Sequence, residues 1–241
     1  MKIALIGYGK MGKRVEAMAL QRGHEIVCRL SSAVSEQQRS TLIAPADVCL
    51  DFTHPHSVLP AVKQMAKLGK NIVMGTTGWL EHLPEVRRIV EESHIGFLYA
   101  PNFAIGIHLF MKVVEEAAKL IDRFDEYDVG AIEGHHNQKV DYPSGAAHAM
   151  AQTLLKHIQR KTKIVTDLPD RPLAADEMHV SSMRCGHQPG IHSVLFDSAC
   201  DSLTITHTSR NRDGFALGAV NAAEWLQGKQ GFYTLDDILQ K

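Results

Sequence analysis

Lys2-Ile3-Ala4-Leu5-Ile6-Gly7-Tyr8-Gly9-Lys10-Met11-Gly12 decides the fold of this chain. A short apolar run reads as a buried strand, and glycines 7, 9 and 12 follow it in G-x-G-x-x-G spacing, directly before a helical pattern. The first glycine permits a tight turn, the second lets backbone approach a pyrophosphate, and the third lets the helix pack on its strand. Phosphate oxygens would meet the unpaired amides at the helix start, where the helix dipole favours negative charge. Gly7, Tyr8, Gly9, Lys10, Met11 and Gly12 are therefore candidate cofactor-binding residues.

The same alternation continues outward. Glu25 to Leu30, Val48 to Phe52, Asn71 to Met74 and Ile95 to Tyr99 read as further strands. Between them, Gly12 to Gln21 and Ser57 to Leu68 space apolar residues three and four apart, as at Val58, Val62, Met65 and Ala66. Strand-helix alternation predicts an α/β fold, a Rossmann-type dinucleotide-binding domain with a parallel sheet. After Phe103 the rhythm changes. A helix is predicted over Ile107 to Ile121, then strands over Tyr127 to Ile132, Met178 to Arg184, His192 to Asp197 and Ser202 to Thr208. That succession favours an inserted α+β unit with a mostly antiparallel sheet. Asp201-Ser202 is placed as its hairpin turn, and Asp167 to Pro172 as an exposed connection. Gly214 to Leu239 returns to helical periodicity and is expected to pack on the first unit. The predicted domains are 1–103 plus 214–241, and 104–213 between two crossing segments that would act as a hinge.

Composition narrows the function classes. With 241 residues, 44% of them hydrophobic and 22% charged, the chain can bury sizeable cores without metal or disulfide staples. A net charge of −1 offers no electrostatic footprint for nucleic acid or an anionic membrane, so a small-molecule partner is expected. The opening apolar run reaches Gly7 too soon for a signal-peptide core or a span, and a cytoplasmic location follows as an expectation. Cys28, Cys49, Cys185 and Cys200 form no C-x-x-C pair and read as buried free thiols. His54/His56 and His135/His136 lack the i, i+4 spacing of a helical zinc site, and no metal is expected.

An NAD-type fold usually places an Asp or Glu about twenty residues beyond the glycines to hold the ribose hydroxyls. Here Cys28-Arg29-Leu30-Ser31-Ser32 offers no acid. Arg29 and two hydroxyls suit a 2′-phosphate better, so NADPH is expected over NADH.

The densest polar cluster runs from Glu133 through His135, His136, Lys139 and Asp141 to Pro143, Ser144, Gly145 and Ala146. It follows a predicted strand and precedes a helix whose buried face would be Ala147, Met150, Ala151, Leu154, Leu155 and Ile158. Ser144 is the predicted N-cap, leaving the Gly145 and Ala146 amides free to hold a carboxylate. The histidines supply a proton donor near neutral pH and Lys139 a fixed cation, a combination that fits a dicarboxylate.

The pattern Glu133-x-His135-His136-x-x-Lys139-x-Asp141-x-Pro143-Ser144-Gly145 resembles the signature of the 4-hydroxy-tetrahydrodipicolinate (dihydrodipicolinate) reductase family. Similar to that family, too, are Asp51-Phe52-Thr53, Gly75-Thr76-Thr77-Gly78, Ala100-Pro101-Asn102-Phe103 and His207-x-Ser209-Arg210, in order along nearly the whole chain. The resemblance implies NAD(P)H-dependent reduction to tetrahydrodipicolinate in the diaminopimelate route of lysine biosynthesis. It implies that Gly75, Thr76, Thr77, Ala100, Pro101, Asn102 and Phe103 meet the nicotinamide half of the cofactor. By the same resemblance His135 and Lys139 serve proton transfer, His136 contacts substrate, Gly145 and Ala146 hold a substrate carboxylate, and a homotetramer forms through the second unit's sheet. Two residues depart from the family pattern: Ala146 replaces the usual threonine, and Ala104 a serine or similar residue. The hydroxyl missing at Ala146 is a lost charge-assisted hydrogen bond of roughly 1.5–3 kcal/mol, an expected weakening of substrate binding. Two alternatives are another two-domain NAD(P)-dependent dehydrogenase and a non-catalytic NADPH-sensing regulator. The His-His-Lys cluster discriminates against both.

Overall fold

Ile3 and Leu5 point to one face of the first strand while Ala4 and Ile6 point to the other, and this period-two alternation feeds two separate cores. In the computed structural model, which describes residues 1–31 and 34–240, the chain divides into two units. One comprises Met1–Ile105 and the segment from Asp213 onward; the other is Gly106–Arg212.

The first unit runs β1 (Lys2–Ile6), α1 (Lys10–Gln21), β2 (Glu25–Leu30), α2 (Glu36–Ile43), β3 (Val48–Asp51), α3 (Val58–Lys67), β4 (Asn71–Met74), α4 (Leu83–Ser93), β5 (Gly96–Tyr99) and the start of α5 (Ile105–Ile121). The second runs β6 (Asp128–His135), α6 (Gly145–His157), β7 (Lys163–Val165), β8 (Glu177–Arg184), β9 (Ile191–Asp197) and β10 (Ser202–Thr208). The chain then returns through α7 (Asp213–Leu226), β11 (Gly231–Thr234) and α8 (Leu235–Leu239) to the first unit.

The first sheet has the order β11-β5-β4-β3-β1-β2, and every pairing is parallel. Such a sheet needs cover on both faces. Buried residues of α3 and α4 (Val58, Val62, Met65, Val86, Val90) close one face, and those of α1 and α7 (Val15, Ala19, Ala219, Val220, Ala223) close the other. Connections leave β1 in opposite directions toward β2 and β3, so the carboxyl ends of β1 and β3 form the switch point where such sheets bind ligands.

The tail corrects one expectation. Gly214 to Leu239 is not continuously helical, because Gly231-Phe232-Tyr233-Thr234 forms β11 on the free edge of β5, with Phe232 stacked on Phe97 at 5.0 Å between ring centroids. A four-residue strand has too little length to interrupt a helical period, and its stability comes from the edge it joins.

The second sheet has the order β10-β9-β6-β8-β7. It is mixed: β10-β9 and β9-β6 are antiparallel, whereas β6-β8 and β8-β7 are parallel. The expected antiparallel character thus belongs to one half of the sheet, and the other half is parallel because α6 carries the chain back over it between β6 and β8. The β9-β10 turn is Ser198 to Asp201, closed by Ser198 N–H to Asp201 O at 2.9 Å, so Ser202 already belongs to the strand. Asp167 and Leu168 are exposed, as are Asp170 to Pro172. All four cysteines are free, but only Cys28 and Cys49 are buried; Cys185 follows the end of β8 and Cys200 lies in the β9-β10 turn, both exposed. Among the described residues no helix is long and apolar enough to cross a membrane.

One contact in the first unit is intolerant of any side chain. A Cβ at Gly218 of α7 would lie 1.7 Å from the Phe103 carbonyl oxygen, whereas one at Gly214 would meet nothing within 4 Å. Gly218→Ala should therefore destabilise the protein by about 1–3 kcal/mol or more. Gly214→Ala should be neutral or slightly stabilising, by up to about 1 kcal/mol. Urea unfolding of the two variants checks the difference, and equal midpoints would refute it.

Candidate active site

Glycine chemistry shapes the first unit's cleft. Gly7 has φ +87°, and a Cβ there would lie 2.4 Å from the Phe52 carbonyl oxygen; one at Gly12 would lie 2.5 Å from the Gly7 carbonyl oxygen. Gly9 is different, since a Cβ there would meet nothing within 4 Å. Two glycines are thus demanded by packing, and the third faces open space, as close backbone approach by a ligand requires. Gly9 is also the N-cap of α1 with no side-chain capping bond, and the first turn holds no acid, so the amides there are available to an anion. A cavity of about 360 Å³ opens at this point, lined among others by Gly7, Tyr8, Gly9, Ser31, Arg39, Asp51 and Thr53. These features fit a dinucleotide.

Of the sequence-predicted residues, Gly7, Tyr8 and Gly9 line the cavity, while Gly75, Thr76 and Phe103 do not line it but pack against Phe52 or Asp51 in its wall. Thr76 is buried and its Oγ1 donates to Asp51 Oδ1 at 2.9 Å, while a Cβ on Gly75 would lie 2.1 Å from the Phe52 ring. Phe103 meets Phe52 edge-on at 6.2 Å, Ala100 is buried, and Asn102 Oδ1 accepts from the Ala104 amide at 2.8 Å. Lys10 and Pro101 are exposed, as is Thr77; Met11 is half-buried, and none of these four lines the cavity. Arg29 does not line it either. Its guanidinium is paired with Glu16, which also accepts from Tyr8 Oη. The cation in the cavity wall is instead Arg39 of α2, ten residues later, whose guanidinium donates to the carbonyls of Val34 at 2.9 Å and Ser31 at 3.3 Å. Ser32, the second hydroxyl of the sequence reading, lies outside the described residues.

The second unit's polar centre is built on strand register. β6 runs three residues further than predicted, so Glu133 and His135 both lie on it and share its inner face. Glu133 has no exposed surface. Its Oε2 is hydrogen-bonded to His135 Nδ1, and its Oε1 accepts from Arg184 Nη2 at 2.7 Å. Burial pushes the Glu133 carboxyl up, but hydrogen bonds led by Arg184 outweigh it and hold the group below the ordinary carboxylate range. Arg184 also donates to the carbonyls of Asp141 at 2.7 Å and Lys139 at 3.3 Å, so one guanidinium ties the buried acid to the Lys139 loop. Lys139 Nζ reaches Asp141 at 2.8 Å, and His136 is half-buried just beyond the strand end.

Ser144 caps α6 as the sequence predicts, its Oγ accepting from the Ala147 amide at 3.2 Å. Gly145 and Ala146, the first two helical residues, keep the amides that no helix satisfies internally. Behind the cap lies a residue that sequence reasoning did not single out. His192 of β9 is 4% exposed, stands opposite Glu133 in register, places Nε2 3.3 Å from Ser144 Oγ and meets the His135 ring edge-on at 5.3 Å. A Cβ at Gly190 would lie 3.2 Å from His135 Nε2, so the missing side chain keeps that nitrogen uncrowded. The one clue to Arg184 and His192 in the sequence was a polar residue at an inward strand position, because their partners lie some fifty positions away. Among the described residues no group of three or more His, Cys, Asp or Glu side chains is arranged to hold a metal ion.

Comparison with known proteins agrees along the whole chain. The family model for the dihydrodipicolinate reductase N-terminus matches residues 1–103, and that for its C-terminus matches residues 106–239. A 4-hydroxy-tetrahydrodipicolinate reductase from Christiangramia forsetii is 36% identical over 239 residues, covering 99% of this chain and 98% of the relative. One from Staphylococcus aureus strain MSSA476 is 34% identical, covering 99% of this chain and 100% of its own. Among solved structures, the dipicolinate-bound dihydrodipicolinate reductase from Paenisporosarcina sp. TG-14 superposes with a TM-score of 0.79 at 26% identity, covering 99% of each chain.

The buried His192 has a measurable consequence. Burial foremost, and then the neighbouring His135, push its imidazole down to about 4. Unfolded, the same imidazole titrates near 6.5, so the stability from keeping it neutral is intact above about pH 6.5 and is lost as pH falls toward 4. His192→Gln should remove up to about 3 kcal/mol of that acid-side loss. Urea unfolding of both proteins between pH 4 and 7 checks this, and parallel pH profiles would contradict it.

Proposed function

The chain belongs to the dihydrodipicolinate reductase family, and from that premise we propose that it reduces 4-hydroxy-tetrahydrodipicolinate to tetrahydrodipicolinate, as a cytoplasmic enzyme of lysine biosynthesis. The observation that carries the reading is the Glu133–His135 pair on the strand that leads to the α6 N-terminus, with Arg184 tying the same acid to the Lys139 loop. A regulator that only sensed a dinucleotide would have no use for a buried acid that orients an imidazole.

The nicotinamide cofactor, when bound, supplies the hydride. The chain's own residues would do the rest. The amides at the start of α1 would hold the pyrophosphate, with the Gly75 to Thr77 and Ala100 to Phe103 segments toward the nicotinamide half. In the second unit, the Gly145 and Ala146 amides would take one substrate carboxylate, with His136 as a further substrate contact. Glu133 accepts from His135 Nδ1–H, so the doubly protonated imidazolium would deliver its Nε2 proton to the substrate and return to the neutral ring held by Glu133. Lys139 would help stabilise the charge that develops on the ring, so both groups act mainly in the transition state.

NADPH is proposed as the preferred cofactor, but through Arg39 in place of Arg29. Arg29 is engaged by Glu16, whereas Arg39 stands in the cavity wall with Ser31. A homotetramer formed through the second unit's sheet is also proposed. It draws support from the outward face of that sheet, where Ile132, Met183 and Leu195 are exposed, a placement that would be costly to leave in water.

His135→Gln and Lys139→Met should each lower kcat by about a hundredfold or more, the usual scale of general-acid catalysis, with cofactor dissociation constants within about twofold of the parent. Retained turnover with only a raised KM would defeat the role assignment. Arg39→Ala should raise the KM for NADPH by about tenfold or more and leave that for NADH nearly unchanged, the scale of one charged hydrogen bond. Steady-state kinetics with both cofactors decides, and equal effects on the two would return the selectivity question to Arg29.

A further inference from the structure

Asp51 ends β3 with none of its surface exposed, in the wall of the cavity that also takes in Gly7, Gly9 and Thr53. Its Oδ1 accepts three hydrogen bonds: from the Thr53 amide at 3.0 Å, Thr53 Oγ1 at 2.7 Å and Thr76 Oγ1 at 2.9 Å. Its Oδ2 is equally buried and has no hydrogen-bond partner among the described residues. An ionised carboxylate divides its charge over both oxygens and needs donors at each. A carboxylic acid accepts at one oxygen and carries its proton on the other. The three donors at Oδ1 favour the anion, but neither form satisfies Oδ2, and a fully buried, unanswered negative charge costs more there than an unpaired hydroxyl.

The surroundings agree. Arg39 lies in the same cavity wall, but its Nε and Nη2 donate to the Val34 and Ser31 carbonyls and it makes no hydrogen bond to Asp51 among the described residues. His54 follows β3 in the lining, and Cys49 stands two residues earlier on the strand, its buried thiol pushed up and so uncharged. Burial raises the Asp51 carboxyl despite the hydrogen bonds from Thr53 and Thr76 and the more distant Arg39. The location makes neutrality useful. A Cβ at Gly7 would lie 2.4 Å from Phe52 O and 3.0 Å from Thr53 Cγ2, so the segment beginning at Asp51 packs directly against the glycine turn. A full negative charge there would repel a pyrophosphate held on that turn.

We propose that Asp51 is a proton-bearing, neutral positioning residue that ties Thr53 to Thr76 beneath the dinucleotide cleft without setting a negative charge against the pyrophosphate. Its role toward the cofactor rests on the dinucleotide reading given above; its protonation does not.

Two arms test it separately. The first uses the unliganded full-length protein and compares the melting temperatures of the parent and Asp51→Asn from pH 5 to 8. A carboxyl whose folded-state pKa lies above the unfolded value of about 3.9 loses stability as pH rises toward the folded value, and asparagine does not titrate. The melting temperature of the variant relative to the parent should therefore climb with pH; a flat or falling difference overturns the proposal. Should the variant fail to fold, infrared spectroscopy of the parent at neutral pH should show a protonated-carboxyl band, and its absence overturns the proposal equally. The second arm measures NADPH and NADH dissociation constants by fluorescence at pH 7. Asp51→Ala should weaken both at least about tenfold, the scale of a lost hydrogen-bond anchor, and Asp51→Asn should recover most of that loss. An asparagine variant as weak as the alanine one would mean that the charge is required. Failure of the parent to bind either dinucleotide would sink the cofactor reading, with the melting arm still deciding the protonation.

Discussion

Glu133 carries a charge with no exposed surface, and much of the second unit is organised by what a buried charge demands. Removed from water, a carboxylate must find a cation and hydrogen-bond donors at both oxygens or give up its charge. Arg184 meets one oxygen and His135 the other. Because Arg184 and His135 stand opposite each other at the ends of β8 and β6, the pairing also holds the parallel junction of the sheet in register. Because the same guanidinium binds the carbonyls of Lys139 and Asp141, it sets the loop that presents the lysine. The imidazole orientation, the loop and the sheet junction are three results of one compensation.

Two helix starts leave amides open to an anion, and they are prepared in different ways. At α1 the N-cap is a glycine with no side-chain bond and no acid in the first turn, so the amides there stay open beside a space that no Cβ intrudes upon. At α6 Ser144 satisfies the Ala147 amide and leaves only the first two. The first arrangement suits a large, delocalised pyrophosphate and the second a single carboxylate. His192, buried behind Ser144, joins the helix cap to His135 through its Nε2 and its ring. Ala146 stands at the second of these amides, where the backbone donor remains.

Local patterns were readable, and long-range partners were not. The strand, glycine turn and helix at the chain start could be read because each glycine acts on its immediate neighbours. The cluster from Glu133 to Ala146 was legible because its members are contiguous and end on a serine cap. Arg184 and His192 join that cluster only through β6-β8 and β6-β9 register, which no spacing in the sequence encodes. The pairing of Arg29 with Glu16 could not be read either, because the acid lies one helix earlier. β11 was lost for a related reason: its four residues become a strand only because β5 offers an edge.

In the proposed function these two units hold a nicotinamide cofactor and a cyclic dicarboxylate for reduction. The most direct measurement follows NADPH absorbance when the purified protein meets substrate generated in situ by dihydrodipicolinate synthase. Rapid oxidation that requires the synthase product is expected. Cofactor binding without any oxidation of NADPH or NADH would contradict it, and would leave the Glu133–His135 pair without the chemistry assigned to it.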